Sequence, residues 1–490
     1  MYIVNIASEC APVAKVGGLA DVVFGLNREL EIRGHAVEII LPKYDCMRYD
    51  QIWGLHITYQ DLWVPWFDGY IHCSVWFGFV HGRKCFFIEP HSADNFFNRG
   101  RFYGFPDEHL RMAFFTRAAM EFLLKSGKRP DIIQTHDWQT ALAPVLLYEI
   151  YQHLGMEHCR VCHTIHNFKH QGIVGKNLLA ATGLHRPEYY YDRLRMGDDH
   201  DPSALNLTKG AIVYSNFVTT VSPRYAWEAR FEQGACGLEA VLDIHHQKFG
   251  GVINGLDYEM WNPEIDPHIP CHFTAEDLDK KYGNKEALRE RLWLAKNYRP
   301  VVAYIGRLDP QKGVHLIRHC LFYCLQRGAQ FVLLGSSPEA SINHDFWQLK
   351  HQLNDNPDCH LEIGYDEELA HLIYAGSDIT VVPSHFEPCG LTQLIALRYG
   401  SVPVVRGVGG LRDTVFDRDY SDRPVEQRNG YVFYQADHQA LESAMERAIG
   451  LWFDYPEEFR RLIQNGMRCD YSWNRSGQDY LNIYEYIRDK

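Results

Sequence analysis

Apolar and polar positions in the first half of the chain follow two alternating patterns. The runs YIVNIAS, AVEIILP, DIIQTHDW, RVCHTIHN and NFVTTVS are predominantly apolar, as buried strands are. Between them, ADVVFGLNRELEIRG and HLRMAFFTRAAMEFLLKSG carry apolar residues at helical spacing. Aromatic-rich segments between Ile52 and Glu89 predict a β-extension of the sheet. Strands and helices that alternate in this way predict a parallel sheet covered by helices on both faces.

A second series of strand–helix units begins near Pro300. The strands VVAYIGR, QFVLLGS, ITVVPS and VPVVRG alternate with the helices VHLIRHCLFYCLQRG, ELAHLIYAGS and LTQLIALRYG. The stretch GGVINGLDYEMWNPEIDPHIP, rich in Gly, Asn and Pro, predicts the connection between the halves. We predict an α/β protein with two Rossmann-like domains facing each other across a cleft, residues 1–250 and 251–468. The segment 469–490 has an aromatic face and is expected to pack back on the first domain.

Composition narrows the classes of partner. The chain has 490 residues and a net charge of −13 without a basic stripe, which argues against a nucleic-acid partner. No apolar run reaches about 18 residues, and Met1 leads directly into a strand, so we expect neither a membrane span nor secretion. Thirteen cysteines without a disulfide spacing are typical of a reducing compartment. The bacterial cytoplasm is the simplest location; a plastid would require a transit peptide.

One cysteine pattern matches a cofactor motif. Cys159, Cys162 and His163 have the C-x-x-C-H spacing of covalent haem attachment. They lie in the β-branched run CRVCHTIHN, which predicts a buried strand, and a structural zinc site would need a second ligand pair. We therefore interpret these cysteines as structural.

The segment HFEPCGLTQLIALRYG carries the strongest chemical signal. Glu387 is expected at the carboxyl end of a parallel strand, and the helix opening at Leu391 directs free N–H groups at the same point, a natural anion site. An acid beside an anion cradle favours an anionic, hydroxyl-rich substrate such as a nucleotide sugar. Cys389 is adjacent, but no histidine follows at a triad-like spacing, so we interpret it as a packing or ligand contact rather than a nucleophile.

Three further strand-to-helix loops indicate anion binding. AKVGGLADVV places Lys15 before two glycines that allow close backbone approach to a ligand. GRLDPQKG places Arg307 and Lys312 on one loop, where arginine grips a diphosphate bidentately and lysine adds a compact charge. RGVGGLRDT is expected to offer N–H groups to an anion at its helix start. Together the cations from both halves predict a clamp on a diphosphate leaving group.

Polar residues end two strands of the first half. Asp137 follows one strand in THDW, and His166 follows another in TIHN. Because the carboxyl ends of parallel strands share an edge of the sheet, we expect the two loops to converge at a functional site. His163 and His166 are three apart, which strand geometry does not aim at one face, so a metal pair is disfavoured. The run DDHD, residues 198–201, is interpreted as a solvated loop.

Seven motifs occur together in order along nearly the whole chain: KVGGLADV, HDW, TIHN, NGLDYEMWNP, GRLDPQKG, FEPCGLTQ and GGLRDTV. In this combination the chain resembles the family of bacterial glycogen synthases and plant starch synthases. LPKYDCM, YIGRLDPQKGVHLI and FVLLGSSPE are most similar to the starch synthase III/IV lineage and its cyanobacterial relatives. The resemblance implies a GT-B fold and retaining transfer of glucose from ADP-glucose to the non-reducing 4-hydroxyl of an α-1,4-glucan or maltooligosaccharide acceptor.

The resemblance also implies roles for individual residues. Lys15, Arg307 and Lys312 match residues that contact the ADP phosphates, so neither a metal nor a cofactor is expected. Glu387 matches the essential acid at the donor glucose. His166 matches a residue close to the reacting centre, and Asp137 one on the acceptor side. The other positions expected around the donor are Gly17, Gly18, Asp21, Asn254, Gly306, Tyr365, Cys389, Gly390, Leu391 and Thr392.

Two alternatives remain open at this point. One is another retaining GT-B transferase that uses UDP-glucose. The other is a degenerate relative that only binds glucan or initiates its synthesis, against which the joint presence of Lys15, Arg307, Lys312 and Glu387 argues. Retention allows either a covalent carboxylate intermediate or same-face attack. The sequence carries no signal for the oligomeric state.

Overall fold

The computed structural model describes residues 1–175 and 177–490. The chain forms two compact units, a first unit of Met1–Gly255 with Trp473–Lys490 and a second unit of Leu256–Ser472. These bounds lie a few residues beyond the expected 250 and 468. The first boundary lies between Gly255 and Leu256. Leu256 is tied to the second unit, because its N–H donates to the Tyr471 carbonyl at 2.7 Å.

The first unit is built on a nine-stranded sheet in the order β11-β10-β7-β6-β1-β2-β5-β4-β3, with a separate β8–β9 pair. All of its neighbouring strands are parallel except β3–β4–β5, which form the β-extension predicted from the aromatic segments and are antiparallel. The strands are β1 Tyr2–Ile6, β2 Ala36–Pro42, β3 Ile52–Trp66, β4 Gly69–Val80, β5 Arg83–Pro90, β6 Ile132–His136, β7 Arg160–Ile165, β8 Ile173–Val174, β9 Leu205–Asn206, β10 Phe217–Thr220 and β11 Phe249–Gly251.

Helices connect these strands. They are α1 Gly18–Ile32, α2 Glu108–Lys125, α3 Asp137–Thr140, α4 Leu142–Glu149, α5 Asn177–Thr182, α6 Pro187–Tyr190, α7 Leu207–Tyr214, α8 Pro223–Phe231 and α9 Glu239–Ile244. The predicted long amphipathic helix is α2, which buries nearly its whole length. A helix enclosed in this way lies inside the core rather than on its surface.

The second unit has a six-stranded parallel sheet in the order β14-β13-β12-β15-β16-β17. Its strands are β12 Val301–Ile305, β13 Gln330–Gly335, β14 Cys359–Ile363, β15 Ile379–Val382, β16 Val402–Arg406 and β17 Tyr431–Phe433. Its helices are α10 Lys281–Leu292, α11 Val314–Gln326, α12 Ala340–Gln352, α13 Glu367–Gly376, α14 Thr392–Arg398, α15 Gly409–Thr414, α16 His438–Asp454 and α17 Pro456–Arg468. Since β12 and β15 are central neighbours, the loops that follow them emerge side by side.

The last helix, α18 Trp473–Arg488, belongs to the first unit. Its aromatic face packs against α1, where a side chain on Gly25 would collide with the Trp473 ring. Buried Tyr484 also donates a hydrogen bond to Gln134 Oε1 at 2.9 Å. Burying an aromatic face on a polar-backed helix contributes a few kcal/mol, which holds the C-terminal segment in place.

Two features bear on the expected environment. Within the described ranges, no helix has both the length and the apolar character needed to cross a bilayer. All thirteen cysteines are free thiols. Cys159 and Cys162 of the haem-like motif are buried in and beside β7, where burial raises the pKa of both thiols.

Candidate active site

Glu387 lies in the turn between β15 and α14 and is almost fully buried. Its Oε2 accepts a hydrogen bond from Lys312 Nζ at 2.6 Å and another from the Ser384 hydroxyl at 2.9 Å. Lys312 ends a short turn that is capped by Asp309, whose carboxylate accepts from the Lys312 N–H at 3.1 Å. The loops after β12 and β15 therefore meet in one ion pair.

Glycines let these loops pack closely. Gly313 has a φ of 74°, and a Cβ there would lie 2.5 Å from the Pro383 carbonyl oxygen. Gly409 has a φ of 46°, and a Cβ there would lie 1.9 Å from the Glu387 carbonyl oxygen. No side chain fits either position, so these glycines allow the backbones to touch.

This packing corrects the prediction that the start of α15 offers its N–H groups to an anion. The Gly410 N–H donates to the Glu387 and Pro388 carbonyls, at 3.2 and 3.1 Å. That N–H group is used to hold the Glu387 loop instead of a ligand. Buried Gln393 supports the same loop, since its amide donates to the Cys389 and Gly390 carbonyls at 3.0 and 2.8 Å.

Arg307 differs from Lys312 in its freedom. It follows Gly306 at the end of β12, its side chain is mostly exposed, and it approaches Asp309 at 3.4 Å, longer than a good charge-assisted hydrogen bond. Its backbone is anchored, because its carbonyl accepts from the Tyr304 hydroxyl at 2.6 Å. A fixed backbone with an exposed, weakly paired guanidinium suits a ligand contact.

The other donor-side candidates divide into two groups. Cys389 is buried in the Glu387 loop next to Gly390, while Leu391 and Thr392 form the start of α14. Tyr365 is 82% exposed and follows β14, three strands away from β15, or about 14 Å across the sheet. The second unit alone therefore does not bring Tyr365 to Glu387.

The Lys15 loop of the first unit is organised by a residue that the sequence analysis missed. Glu9, three residues after β1, accepts from the Val16 and Gly17 N–H groups at 2.7 and 3.1 Å and from the Tyr103 hydroxyl at 2.8 Å. Burial raises the pKa of the Glu9 carboxyl. The glycines of this loop were expected to let its backbone approach a ligand; the part of Glu9 in holding the loop was not predicted. An acid three residues after β1 was the available signal.

Lys15 itself projects from this loop. Its Nζ pairs with Asp21, in the first turn of α1, at 2.8 Å, and both side chains remain partly exposed. Gly17 and Gly18 are exposed at the start of α1, and a Cβ on Gly17 would meet no atom within 4 Å. Lys15, Gly17, Gly18 and Asp21 thus form one accessible patch at a helix N-terminus.

Asp137 and His166 are brought together at the ends of β6 and β7. The Asp137 carboxylate accepts from the His166 N–H at 2.7 Å. Asp137 has a φ of 49°, in the left-handed region, and burial raises the pKa of its carboxyl to about 7. Burial lowers the pKa of the His166 imidazole to about 3. Among residues 1–175 and 177–490, no cation forms a hydrogen bond or an ion pair with either side chain.

A cavity of about 510 Å³ borders these loops and includes Trp138 and Lys169. Asp198, Asp199 and His200, from the run that was expected to be a solvated loop, contribute to its wall. Asp198 is in fact buried, because it accepts from the His200 and Asp201 N–H groups, both at 2.9 Å. Hydrogen bonds from these N–H groups offset the cost of removing the Asp198 carboxylate from water.

Asn254 is the last candidate of the first unit. It is buried, and its Oδ1 has no hydrogen-bond partner within the part of the chain that the structure describes. A buried unpaired amide oxygen costs free energy, so Asn254 is suited to bind a ligand donor.

The fold agrees with known protein families. Residues 2–244 match the family model "Starch synthase catalytic domain", and residues 285–468 match "Glycosyl transferases group 1". A sucrose-phosphate synthase from Thermosynechococcus elongatus shares the fold, with a TM-score of 0.62 at 18% identity over 99% of both chains. The fold and the site therefore define a glycosyltransferase of the GT-B class.

Three relatives narrow this class. Glycogen synthase 2 of Methylococcus capsulatus is 70% identical over 99% of this chain and 100% of its own. Glycogen synthase 1 of Synechococcus sp. (strain JA-3-3Ab) is 65% identical over the full length of both. The catalytic domain of starch synthase IV from Arabidopsis thaliana, bound to ADP and acarbose, has a TM-score of 0.95 at 46% identity and covers 100% of this chain and 99% of that one. The chain belongs to the glycogen and starch synthase family.

Proposed function

We propose that the protein transfers glucosyl units from ADP-glucose to the non-reducing 4-hydroxyl of an α-1,4-glucan, with retention of configuration. Its relatives are named glycogen synthases, and the related starch synthase IV domain is described as bound to ADP and acarbose. The observation that carries the proposal is the Lys312–Glu387 pair at 2.6 Å in a loop packed by glycines. It presents a cation and a carboxylate at the carboxyl end of β15, where α/β sheets bind ligands.

The leaving diphosphate needs positive charge as its bond to glucose breaks. Arg307, Lys312 and Lys15 are the proposed sources, and each now faces a carboxylate: Asp309, Glu387 and Asp21 respectively. A diphosphate carries more negative charge, spread over more oxygens, than the single carboxylate that each cation now faces, so it competes for these cations. Positive charge from side chains leads us to propose that no metal ion is required. The other proposed donor contacts are Gly17, Gly18, Asp21, Asn254, Gly306, Tyr365, Cys389, Gly390, Leu391 and Thr392.

Glu387 is proposed to orient the transferred glucose and to stabilise the positive charge that develops on its ring. Its Oε2 already accepts hydrogen bonds from Lys312 and Ser384. Such bonds lower the nucleophilicity of a carboxylate, so we favour same-face attack by the acceptor over a covalent intermediate. His166 and Asp137 are proposed to contact sugar hydroxyls.

The donor and the reaction are tested together by incubating the purified protein with ADP-glucose or UDP-glucose and maltooligosaccharides of graded length. We expect the products to grow by single glucose units, with kcat/KM at least tenfold higher for ADP-glucose. Higher kcat/KM with UDP-glucose would select the alternative transferase. Glucan binding without any transfer would select the degenerate scaffold.

The cellular setting is proposed from the same relatives. They come from bacteria, including cyanobacteria, and all cysteines of this chain are free. We infer that the protein acts in the bacterial cytoplasm, where glycogen is the expected product. Fractionation of cells that express the full-length protein, followed by immunodetection, tests this location.

A further inference from the structure

A chain of four hydrogen-bonded side chains runs from His166 into the interior of α1. His166 Nε2 lies 3.0 Å from His136 Nδ1, and His136 Nε2 lies 2.8 Å from Asn5 Oδ1. Asn5 Nδ2 in turn donates to Asn27 Oδ1 at 3.3 Å. His136, Asn5 and Asn27 are completely buried in β6, β1 and α1. Two asparagines inside an apolar strand and helix therefore serve no solvent contact.

One backbone carbonyl sets the orientation of both amides. The series of hydrogen bonds ends at Asn27, whose Nδ2 donates to the Val23 carbonyl at 2.6 Å. A carbonyl oxygen only accepts, so the NH₂ group of Asn27 must face Val23 and its Oδ1 must face Asn5. Asn5 then has to direct its own NH₂ towards Asn27, which leaves its Oδ1 towards His136.

The same logic continues through the two imidazoles. Because Asn5 Oδ1 is an acceptor, His136 carries its proton on Nε2. A neutral imidazole has one donor and one acceptor, so His136 Nδ1 accepts, and His166 must donate from Nε2. His166 Nδ1 is then a lone-pair acceptor. It has no hydrogen-bond partner among residues 1–175 and 177–490.

We propose that Asn5 and Asn27 are positioning residues that hold His166 as the Nε2–H tautomer, so that its Nδ1 accepts a hydrogen bond from a substrate hydroxyl. The identity of that substrate as a sugar rests on the function proposed above. This series of hydrogen bonds requires both imidazoles to be neutral. Burial favours the neutral state, because it lowers the pKa of both His136 and His166.

The tautomer is measured directly on the full-length protein labelled with ¹⁵N-histidine, without donor or acceptor. The His166 ring signals are assigned by their loss in His166→Gln. We expect an Nε2–H tautomer in the wild type and a shift towards Nδ1–H in Asn5→Leu. Asn27→Leu should give the same shift, because it frees the Asn5 amide to turn. An Nδ1–H tautomer in the wild type, or an unchanged tautomer in both variants, would overturn the proposal.

Kinetics test whether the tautomer matters. Asn5→Leu and Asn27→Leu should lower kcat about 10- to 100-fold while the KM for ADP-glucose changes less than about threefold, since a wrong tautomer impairs a site that still binds. The matched control is Thr219→Val, which removes an equally buried hydrogen bond to Thr164 in the same sheet. This control leaves the hydrogen bonds between His166, His136, Asn5 and Asn27 unchanged. Equal kcat in all three variants would refute the acceptor role.

Two outcomes separate this inference from the proposed function. If Asn5→Leu fails to fold, as judged by circular dichroism, Asn27→Leu in α1 provides the same two measurements. If the wild type transfers no glucose, the proposed function fails, while the ¹⁵N spectra still decide the tautomer. A wild-type Nε2–H signal that converts in Asn27→Leu supports the inference in either case.

Discussion

The candidate residues of the first and second units differ in how the protein treats their charge. Around His166 and Asp137, burial suppresses charge, and the pKa values move to about 3 and about 7 respectively. Around Glu387, a buried carboxylate keeps a cation, Lys312, at 2.6 Å. A region that suppresses charge suits neutral hydroxyls, whereas a region with paired charge suits a diphosphate and a developing cation. Burial alone therefore does not decide the chemistry of these groups; the partner that each group faces does.

The largest effect is expected where charge is used. Lys312→Ala and Glu387→Ala should each fold and lower kcat by about 10²–10³, because each removes a preorganised charge from the transition state. Steady-state rates with ADP-glucose and maltooligosaccharides, with thermal unfolding to verify the fold, provide the measurement. Lys350→Ala is the control, since Lys350 forms a looser pair with Glu362 at 3.5 Å in the same unit. Wild-type rates in either site variant would show that the paired charges of the second unit do not serve the transfer reaction.

The charge-suppressing region is tested through pH. The folded pKa of Asp137 is about 7 against 3.8 for a free carboxyl, so its contribution to stability is full below pH 4 and is lost as pH rises through 7. Asp137→Asn stays neutral and still accepts from the His166 N–H. The variant should therefore be more stable than wild type above pH 7, by at most about 4 kcal/mol, and not below pH 4.

Urea unfolding at pH 4, 6 and 8 measures this difference. Asp61→Asn, at an exposed position of the same unit, is the control and should leave the pH profile unchanged. Parallel wild-type and Asp137→Asn profiles would show that the carboxyl is not held in a charge-suppressing site.

Glycine substitution separates the two regions by packing. Gly409→Ala should destabilise the fold by about 1–3 kcal/mol, because its Cβ would overlap the Glu387 carbonyl oxygen and its φ is positive. Gly17→Ala should change stability by less than about 0.5 kcal/mol, because its φ is −147° and the space beside it is open. Thermal unfolding compares the two variants. Equal losses would contradict the close packing of the Glu387 loop.

A smaller effect is expected at Lys15. Its pair with Asp21 is partly exposed, so Lys15→Ala should change the free energy of unfolding by less than about 1 kcal/mol. Its proposed contact with a phosphate predicts a KM for ADP-glucose about tenfold higher, equivalent to about 1.4 kcal/mol. Initial rates at varied ADP-glucose check this; an unchanged KM would assign the patch another role. Lys125→Ala, another exposed lysine of the first unit, is the control.

The smallest effect is expected from metal removal. Lys15, Arg307 and Lys312 are proposed to neutralise the diphosphate, so dialysis against EDTA should leave kcat and KM unchanged. Activity assays before and after dialysis, with Mg²⁺ added back, provide the check. A loss of activity that Mg²⁺ restores would contradict the proposal that side chains replace the metal.

Local patterns predicted much of the fold. The strand and helix runs follow from hydrophobic periodicity, which is a local property. The β-extension near 52–89 was predicted from its aromatic-rich segments, and the return of the C-terminal helix from its aromatic face. The placement of Glu387 after β15 and of Asp137 and His166 after β6 and β7 follows from strand ends.

Hydrogen-bond partners were harder to predict. The start of α15 was predicted to offer N–H groups to a ligand, but the Glu387 and Pro388 carbonyls accept from the Gly410 N–H. That Glu9 accepts from the Val16 and Gly17 N–H groups was not predicted. Asp198 was expected in solvent and is buried. In each case the competing acceptor is distant in sequence or turns back on the same loop, and periodicity carries no information about such partners.

Which residues end the strands and which loops carry cations can be read from the amino-acid sequence, because strand ends, glycines and charges are local properties. What each group faces is known only from the folded structure. It paired Lys312 with Glu387 across 75 positions and joined Asn5 to His136 across 131. The physical reason is that the charge and proton position of a buried group depend on neighbours that folding supplies, and the order of residues along the chain does not name them.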